Sequence, residues 1–353
     1  MLIVRIGAMG DVLHAMPAVA ALREAYPEWY IGWVVEPRWV ALLKAVSGET
    51  APTRLVDKVY LAATREWKQR PVSKRTLAEI AQLRRELRGD GFDLCVDMQG
   101  SIRSAVIGRM AGTGELVGPA DPREGPARWL YGKTVDVTTT HVIEQGCELL
   151  GGAVGAQLRP SEVDFPLDEA AERACDVLLA RLLPGSEPFA LVAPTAGWGA
   201  KQWPAERFGA VAAELGRQGY RTLVNAAGEM DPIARSVVEA SGGHAAAAAG
   251  DLPLLIALTR RARVVIAGDT GPLHLASALG RPVVALFGPT DPARNGPYGT
   301  RAKVLRHGEE RRDHRRRAEP EKELLAITVE EVVEAAMELF EDREPPRAGK
   351  VDE

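Results

Sequence analysis

Four glycine-containing loops hold the residues whose types and spacing suit chemistry on a sugar or a phosphate. The first loop, Gly7-Ala-Met-Gly10-Asp11, combines glycines, which let backbone amides approach a ligand, with one carboxylate. Its spacing differs from the GxGxxG pattern of dinucleotide-binding proteins, which disfavours a nicotinamide-dependent dehydrogenase. Asp11 therefore has two interpretations that stay open: a cap of the helix that follows, or a catalytic carboxylate.

Two further loops offer groups for a diphosphate and for sugar hydroxyls. Within Ala193–Pro204, Thr195 supplies a hydroxyl and Lys201 stands just before a predicted helix start. A lysine beside helix amides can clamp a diphosphate, although a solvated lysine fits the same pattern. In the loop Ala226–Asp231, Glu229 stands where a ribose or sugar hydroxyl could donate a hydrogen bond to it.

The fourth loop, Gly268–Ser277, predicts a strand end, a glycine-containing turn and a helix with Pro272 in its first turn. Thr270 and Gly271 would direct a hydroxyl and amides toward a phosphate, as expected at an anion-binding helix start. His274 lies inside the predicted helix, and it fits a buried, hydrogen-bonded core histidine as well as a ligand-side residue.

The elements that must hold these loops alternate along the chain. Short apolar runs and amphipathic segments follow one another in both halves, which predicts β/α units around parallel sheets. The predicted fold is α/β, with two doubly wound Rossmann-like domains, and each loop follows a strand's carboxyl end, where such sheets bind ligands. The predicted strands are Leu2–Ile6, Tyr30–Val35, Phe92–Met98, Phe189–Ala193, Tyr220–Asn225, Val264–Gly268 and Pro282–Phe287.

The domain boundary is predicted in the glycine- and proline-containing stretch Gly151–Pro166. The first domain covers residues 1–160 and the second residues 167–327. A capping box at Thr328 and Glu331 starts a last helix at about 328–342, and we expect it to return to the first domain. The segment 307–323 contains six Lys or Arg and six Asp or Glu residues, which predicts a solvated loop.

Composition excludes several classes of protein. The formal net charge of -4 argues against a general nucleic-acid binder. No run approaches the roughly 18–20 apolar residues of a membrane span, and the N-terminus does not have a signal-peptide pattern. The three cysteines are far apart and form no CxxC pair, which disfavours a zinc site and a disulfide framework. We expect a cytoplasmic protein.

Several of these motifs share their order and spacing with one family. They are Met9-Gly10-Asp11-Val-Leu-His14, Lys201-x-Trp203-Pro204, Asp269-Thr270-Gly271-x-x-His274 and Phe287-Gly288-Pro289-Thr290-Asp291-Pro292. The chain resembles the ADP-heptose:lipopolysaccharide heptosyltransferases, inverting sugar transferases of the two-domain GT-B type, over about residues 1–342. It is most similar to the type that adds the first heptose to Kdo, since Asp97-Met-Gln99-Gly100 and Arg123-Glu124 look like acceptor-domain motifs of that type.

The resemblance implies two domains facing a central cleft and a role for each candidate residue. Asp11 would be the general base on the acceptor hydroxyl, and ADP-heptose would be the donor substrate. Glu229 would hold the donor's ribose, Asp269 would contact the heptose, and His274 would line the nucleotide side. The residues that would hold the diphosphate are Thr195, Lys201, Thr270 and Gly271. Ala8 stands where relatives often have a serine, so this loop has no side-chain hydroxyl there.

A basic segment of the first half predicts the acceptor side. Between Arg54 and Arg88, ten Lys or Arg residues stand against four acidic ones. A solvated helix face explains part of this excess. The functional interpretation is a dock for anionic Kdo-lipid A, peripheral on the inner face of the cytoplasmic membrane, with Trp67 as an interfacial anchor. The candidates for contacts with Kdo carboxylates and lipid phosphates are Arg65, Lys68, Arg70, Arg103 and Arg123.

The reaction implied is one displacement at the anomeric carbon, with inversion. The sequence contains no Asp-x-Asp motif and no His/Asp cluster at metal spacing, so we expect no cofactor and no required metal. Lys201 and helix amides would then stabilise the leaving group. Two alternatives are a GT-B transferase that uses another nucleotide sugar, and a non-catalytic protein that binds nucleotide sugars.

Overall fold

The computed structural model describes residues 1–46, 55–185, 188–228, 230–308 and 319–341. The chain divides into two compact units, Met1–Asp168 and Glu169–Glu353. Each unit contains one six-stranded sheet, and every pair of neighbouring strands in it is parallel. Parallel neighbours need crossover connections, and helices supply most of them here.

The sheet of the first unit has the strand order β3-β2-β1-β4-β5-β6. Its strands are β1 (Leu2–Val4), β2 (Gly32–Val35), β3 (Lys58–Leu61), β4 (Leu94–Asp97), β5 (Glu115–Pro119) and β6 (Lys133–Val135). Its α-helices are α1 (Met9–Ala25), α2 (Thr64–Gln69), α3 (Lys74–Gly89), α4 (Ile102–Ala111) and α5 (Val142–Val154). Two short 3₁₀ helices cover Pro37–Leu42 and Gly125–Leu130.

The second unit repeats this plan with the order β12-β11-β10-β7-β8-β9. Its strands are β7 (Phe189–Ala193), β8 (Arg221–Ala226), β9 (Ala245–Ala249), β10 (Val264–Gly268), β11 (Val283–Leu286) and β12 (Ala302–Leu305). Its longer helices are α6 (Glu169–Leu182), α7 (Ala205–Arg217), α8 (Pro232–Ala240), α9 (Leu252–Arg261), α10 (Gly271–Ala278) and α13 (Val329–Glu341). Shorter helices are α11 (Pro292–Asn295), α12 (Lys322–Ala326) and the 3₁₀ helix Gly199–Lys201.

The strand order places a switch point at the centre of each sheet. In the first unit the direction of winding reverses between β1 and β4, and in the second unit between β7 and β10. The loops after two such strands separate at the sheet's carboxyl edge and leave a crevice, which is where open α/β sheets bind ligands. Three of the four loops that the sequence singles out for chemistry follow the central strands β1, β7 and β10, and the remaining loop follows β8.

The central strands are apolar because both of their faces are covered. All three residues of β1 are buried, as are all residues of β7, β10 and β11. Such strands show no alternation of polar and apolar residues, in agreement with the sequence pattern. The rigid sheet centres therefore fix the starting points of the site loops.

The C-terminal helix α13 packs on the second unit, so its expected return to the first domain is wrong. Val332, Ala336 and Phe340 belong to the same buried cluster as the second-unit residues Trp203 and Phe208. The helix lies against α7, β10, β11 and β12. The apolar face of α13 thus covers one side of the second sheet, and this contact removes the face from water.

Candidate active site

Asp11 lies in the first turn of α1, directly after the loop that follows β1. Its Oδ2 accepts a hydrogen bond from the Ala8 backbone N–H at 2.9 Å, and its Oδ1 forms an ion pair with Arg5 at 3.0 Å. Ala8 has no acceptor to return the bond, so only half of a capping box forms. The Asp11 side chain is 33% exposed, so the carboxylate caps the helix and remains accessible to a ligand.

Gln99, just after β4, fixes the loop that carries Asp11, and Asp97, the last residue of β4, fixes the turn around Gln99. The Gln99 side-chain oxygen accepts hydrogen bonds from the Ile6 and Gly7 amides, each at 3.2 Å. Asp97 is fully buried and accepts hydrogen bonds from two backbone amides, the Ser104 hydroxyl and the Tyr131 hydroxyl. Burial raises the pKa of Asp97, and these hydrogen bonds oppose the shift. Asp97 therefore organises the loop and does not reach solvent.

The five basic candidates of the first unit are all exposed. Two of them come together: the Arg103 guanidinium donates to the Thr64 hydroxyl at 2.9 Å, and the Arg65 backbone N–H donates to Glu36 at 3.0 Å. Thr64 also donates to Glu36, which joins these residues in one chain of hydrogen bonds. The remaining three lie on the surface at α2, at its end and beside the Gly100 turn: Lys68, Arg70 and Arg123.

Arg38 is a basic residue near this group that the sequence interpretation missed. Burial lowers the pKa of Arg38, and the nearby positive charge of Arg65 lowers it further. Its guanidinium lies 4.2 Å from the centre of the Trp39 ring. Glu36 partly offsets the repulsion between these two cations, and an anionic ligand beside them would offset it further.

Trp67, predicted as an interfacial anchor, is half-buried and takes part in the packing between α2 and α3. Its indole N–H donates to Glu79 Oε2 at 2.9 Å, and its ring packs against the buried cluster of the first unit. The side chain links α2 to α3, so its role is structural.

The centre of the second-unit site is a cluster of four residues, Lys201, Asp269, His274 and Thr290, called the Asp269 cluster below. Asp269 Oδ2 pairs with the Lys201 ammonium and accepts a hydrogen bond from the Thr290 hydroxyl at 2.7 Å. Asp269 Oδ1 lies 3.0 Å from His274 Nε2. Asp269, His274 and Thr290 are buried, and they come from the loops after β10 and β11 and from α10.

The electrostatics of the Asp269 cluster favour an ionised carboxylate. Burial alone would raise the pKa of Asp269, but the hydrogen bond with His274 and the charge of Lys201 outweigh it. Together they hold this pKa well below its ordinary value. An anionic Asp269 and a cationic Lys201 therefore stand side by side at the switch point of the second sheet.

The first turn of α10 offers an anion site beside Lys201. Thr270 is the N-cap residue, and its hydroxyl donates to the Gly268 carbonyl at 3.2 Å. Pro272 has no amide hydrogen, so the N–H of Gly271 is the main donor that this turn can give to a ligand. Lys201 and the positive end of the helix dipole thus lie at the same place.

The loop after β7 brings Thr195 and Lys201 to the carboxyl edge of the sheet. Gln202 fixes the loop: its Oε1 accepts from the Ala196 amide at 2.9 Å, and its Nε2 donates to the Pro194 carbonyl. Trp203, next in sequence, is buried and packs edge-on against Phe208. Thr195 is exposed directly after the strand, where its hydroxyl is accessible to a ligand.

Glu229, the candidate for the ribose, lies outside the described residues. The turn that flanks it is held by Asp231, whose Oδ2 accepts from the Ala227 amide at 3.1 Å. Asp231 Oδ1 also accepts from the first amides of α8 and caps that helix. The prediction for Glu229 stays a prediction.

Sequence reasoning missed four side chains that hold the two sites in place. Thr290 lies inside the motif 287–292, so the sequence carries a signal for it. Gln99 likewise lies inside the motif 97–100. Arg5 and Gln202 act through contacts across a turn, and no spacing pattern reports such contacts.

The described residues provide neither a metal-binding cluster nor a membrane-spanning helix. That part of the chain contains no group of three or more His, Cys, Asp or Glu side chains arranged to hold a metal ion. Within the same residues, no helix combines the length and the apolar character that a bilayer span requires.

A sequence model of glycosyltransferase family 9, described as heptosyltransferase, matches residues 80–325. The chain belongs to glycosyltransferase family 9. It is therefore a glycosyltransferase, and the match includes the whole Asp269 cluster. Among the relatives, lipopolysaccharide heptosyltransferase 1 of Pseudomonas aeruginosa is 28% identical over 305 residues, which is 84% of this chain and 81% of that one. The enzyme of the same name from Escherichia coli is 27% identical over 315 residues, covering 86% and 92% of the two chains.

Solved structures agree with the fold of this family 9 glycosyltransferase. The E. coli heptosyltransferase WaaC with ADP matches with a TM-score of 0.76 and 25% identity, covering 96% of this chain and 99% of that one. A family 9 glycosyltransferase from Veillonella parvula matches with a TM-score of 0.79 and 22% identity, covering 97% of each chain, and it supports the fold alone. The predicted GT-B fold class with two doubly wound domains is confirmed.

Proposed function

We propose that this family 9 glycosyltransferase transfers heptose from ADP-L-glycero-D-manno-heptose to a Kdo residue of Kdo-lipid A in the lipopolysaccharide inner core. The names of its relatives support this choice, because several are lipopolysaccharide heptosyltransferases 1. A solved structure of WaaC with a fluorinated ADP-heptose, 25% identical to this chain, also supports the donor.

The observation that carries the proposal is the Asp269 cluster beside the first turn of α10. A diphosphate needs positive charge and amide donors, and Lys201 and Gly271 supply both. An ionised carboxylate can accept about four hydrogen bonds, and three of the positions on Asp269 are taken by its neighbours in the cluster. The remaining position, on Oδ1, suits a hydroxyl of the transferred sugar.

Donor binding would change the partners of Lys201. Without a ligand its ammonium is paired with Asp269. A bound diphosphate brings more negative charge than one carboxylate, so Lys201 would turn part of its hydrogen bonding toward it. Negative charge grows on the bridging oxygen as the sugar leaves, and Lys201 and the Gly271 amide would then stabilise the departing ADP.

Asp11 would act on the acceptor. Arg5 and the Ala8 amide each contact one carboxylate oxygen of Asp11, which fixes the orientation of the group while leaving lone pairs accessible. The acceptor hydroxyl would attack the anomeric carbon as its proton passes to Asp11, and the bond to ADP would break in the same step with inversion. The anionic acceptor would be held by Arg65, Lys68, Arg70, Arg103 and Arg123, with Arg38 added to them.

We further propose that no divalent metal is required, because Lys201 and helix amides supply the charge that the leaving group needs. The enzyme would work peripherally at the inner face of the cytoplasmic membrane, where an acceptor of the lipid A type lies.

The experiment is an assay with purified protein, Kdo-lipid A and a panel of nucleotide sugars, each with and without EDTA. We expect a product one heptose heavier by mass spectrometry, with ADP-heptose the preferred donor and the rate retained in EDTA. Equal transfer from other nucleotide sugars would favour a different transferase, and ADP-heptose binding without turnover would favour a binding protein. Activity lost in EDTA and restored by Mg²⁺ would contradict the metal-free step.

A further inference from the structure

An exposed apolar surface of the first unit has no function in the site described above. It comprises Ile102 and Val106 of α4 and Trp129 of the neighbouring 3₁₀ helix, and is called the α4 patch below. Trp129 is 84% exposed, which is unusual for so large an apolar side chain. Ile102 and Val106 are also classed among the exposed large apolar side chains.

The α4 patch is continuous because its two elements run side by side. At one end, the Ile102 amide donates to the Glu124 carboxylate at 2.9 Å, and at the other end the Arg109 guanidinium donates to the Leu130 carbonyl at 2.6 Å. Ile102 and Val106 are four residues apart and share one side of α4. Arg109, three residues further on, lies on the same side and reaches the residue that follows Trp129.

The opposite side of α4 already supplies the apolar contacts that anchor this helix to the core. Ala105, Ile107 and Ala111 are buried and belong to the core cluster of the first unit. An amphipathic helix in a soluble protein places polar residues on its outer side, and α4 instead places two branched apolar residues there. Exposure of the α4 patch to water is therefore energetically unfavourable, and the patch contributes nothing to the core.

Basic residues border the α4 patch. Arg109 and Arg128 belong to its two elements, and Arg88 of α3 donates to the Met110 carbonyl at the end of α4. Helix α3, which packs on α4, contains five Lys or Arg residues and two Glu residues. The carboxylate of Glu124 is engaged with the α4 amino terminus.

We propose that the α4 patch is the membrane-docking surface of this protein and that its occupant is an anionic lipid bilayer. A tryptophan with aliphatic neighbours inserts at the level of the lipid headgroups, and surrounding arginines pair with anionic headgroups. The inference rests on the proposed function in one respect: Arg103, in the first turn of α4, is an acceptor candidate, so docking would present the acceptor's headgroup to it.

Binding to vesicles tests this directly. The protein is sedimented with vesicles of phosphatidylcholine alone or with phosphatidylglycerol added. We expect binding to the anionic vesicles, and quenching of tryptophan fluorescence by brominated lipid that Trp129→Phe removes. Trp129→Ala should weaken the vesicle association constant about tenfold, as expected for removing one large side chain from the interface. Val106→Asp should weaken it further.

The matched control is Val177→Asp on α6 of the second unit, where the side chain is 72% exposed and lies outside the patch. It should leave vesicle binding unchanged. Equal losses in Val106→Asp and Val177→Asp, or parent-like binding by Trp129→Ala, would overturn the proposal. Concentration-dependent dimers that Val106→Asp abolishes, without vesicle binding by the parent, would instead assign the patch to a second copy and also overturn it.

Assays with two different acceptor substrates test the docking surface and the proposed function separately. With an acyl-free Kdo oligosaccharide, the patch variants should transfer heptose at the parent rate, and with Kdo-lipid A embedded in vesicles they should be slower. Vesicle binding through the patch without any heptose transfer would support the docking surface and contradict the proposed heptosyltransferase function. Equal rates of parent and variants on embedded acceptor would contradict a role for docking in the reaction.

Discussion

Thr290 contacts no substrate in the proposed reaction, yet its hydroxyl fixes one oxygen of Asp269 at 2.7 Å. Thr290→Val keeps the shape and removes this hydrogen bond, so the carboxylate that faces the sugar loses its fixed orientation. We expect the KM for ADP-heptose to rise about tenfold, as for a hydrogen bond to a charged group, while the affinity for ADP alone is nearly unchanged. Steady-state kinetics and calorimetry with ADP measure the two quantities.

The serine variant and a second buried threonine provide the controls. Thr290→Ser should restore the parent KM, because the hydroxyl returns. Thr259 in α9 is equally buried, and its hydroxyl donates to the Leu255 carbonyl at 2.7 Å, away from the site. Thr259→Val should affect stability alone. If both valine variants raised the KM alike, Thr290 would have no positioning role.

The depressed pKa of Asp269 makes part of the stability dependent on pH. A carboxyl whose pKa is lower in the folded than in the unfolded protein stabilises the fold above its unfolded pKa, about 4. This contribution is lost progressively as the pH falls below that value. Asp269→Asn should therefore be less stable than the parent at pH 7. The difference between their free energies of unfolding should narrow below about pH 4.

Urea unfolding at a series of pH values from 7 downward measures this difference directly. All other carboxylates are common to both proteins, so the difference reports on Asp269. A difference in the free energy of unfolding that disappears between pH 7 and pH 5 would mean that Asp269 does not control it.

Single residues also show which parts of the site could be predicted from the sequence. Asp11, Lys201, Asp269 and Thr270 lie at strand ends of the two switch points, as predicted, since strand ends follow from local patterns. The pairing of Lys201 with Asp269 was not predictable, because 68 residues separate them and only the folded sheet brings them together. The hydrogen bond from the Trp67 indole N–H to Glu79 of the neighbouring helix α3 was also not predicted.

Among the elements, the buried central strands were the easiest to predict. Phe189–Ala193 and Val264–Gly268 have the predicted bounds, because their continuous apolar runs end at proline or glycine turns. Five strands were missed: the four edge strands β3, β6, β9 and β12, and β5 beside β6. Four of them mix polar and apolar residues or contain proline, and β9 consists of five alanines. Their register depends on the neighbouring strand more than on their own sequence.

The C-terminal helix gives a test at this scale. Its start was predicted correctly: the Thr328 hydroxyl accepts from the Glu331 amide at 3.2 Å, and Glu331 accepts from the Thr328 amide. Its docking place was not predictable, because an apolar face does not identify the surface that it covers. Phe340 is buried and its ring lies 4.1 Å from that of Tyr220 in the second unit.

Phe340→Ala should destabilise the second unit by about 3–5 kcal/mol, the usual cost of emptying a buried aromatic site. Differential scanning calorimetry with and without ADP would identify the affected transition, because a ligand stabilises the unit that binds it. We expect the ADP-sensitive transition to shift to lower temperature. A shift confined to the ADP-insensitive transition would mean that α13 stabilises the first unit instead.

At the scale of the whole molecule, the proposed function assigns the acceptor to the first unit and the donor to the second. The five basic candidates for acceptor contacts lie in the first unit and the Asp269 cluster lies in the second. Reversing charge at Arg65 and Lys68 should weaken use of the acceptor and reduce its sensitivity to salt, because fewer screened contacts remain. ADP affinity should stay nearly constant in that variant.

Lys201→Ala should have the opposite effect, losing about 1.5–3 kcal/mol of ADP binding as a charge-assisted contact disappears. Calorimetry with ADP and kinetics at varied acceptor concentration give both results. An equal loss of ADP affinity in the Arg65/Lys68 variant would contradict the division of substrates between the units.

The central claim is that Asp11 drives transfer of heptose from ADP-heptose to Kdo, and the rate of that reaction in Asp11→Asn tests it most directly. Asparagine keeps the size of the side chain but cannot take up the proton. Asp251→Asn is the matched control, since Asp251 also caps a helix, α9, by accepting from the Leu254 amide at 3.1 Å, and no step of the proposed reaction uses it.

We predict that Asp11→Asn lowers turnover by about 10²–10⁴-fold with ADP affinity unchanged, the usual effect of losing a general base, and that Asp251→Asn keeps the parent rate. A turnover of Asp11→Asn within a few-fold of the parent, with a loss of stability of about 1 kcal/mol, would make Asp11 a helix cap alone and contradict the account.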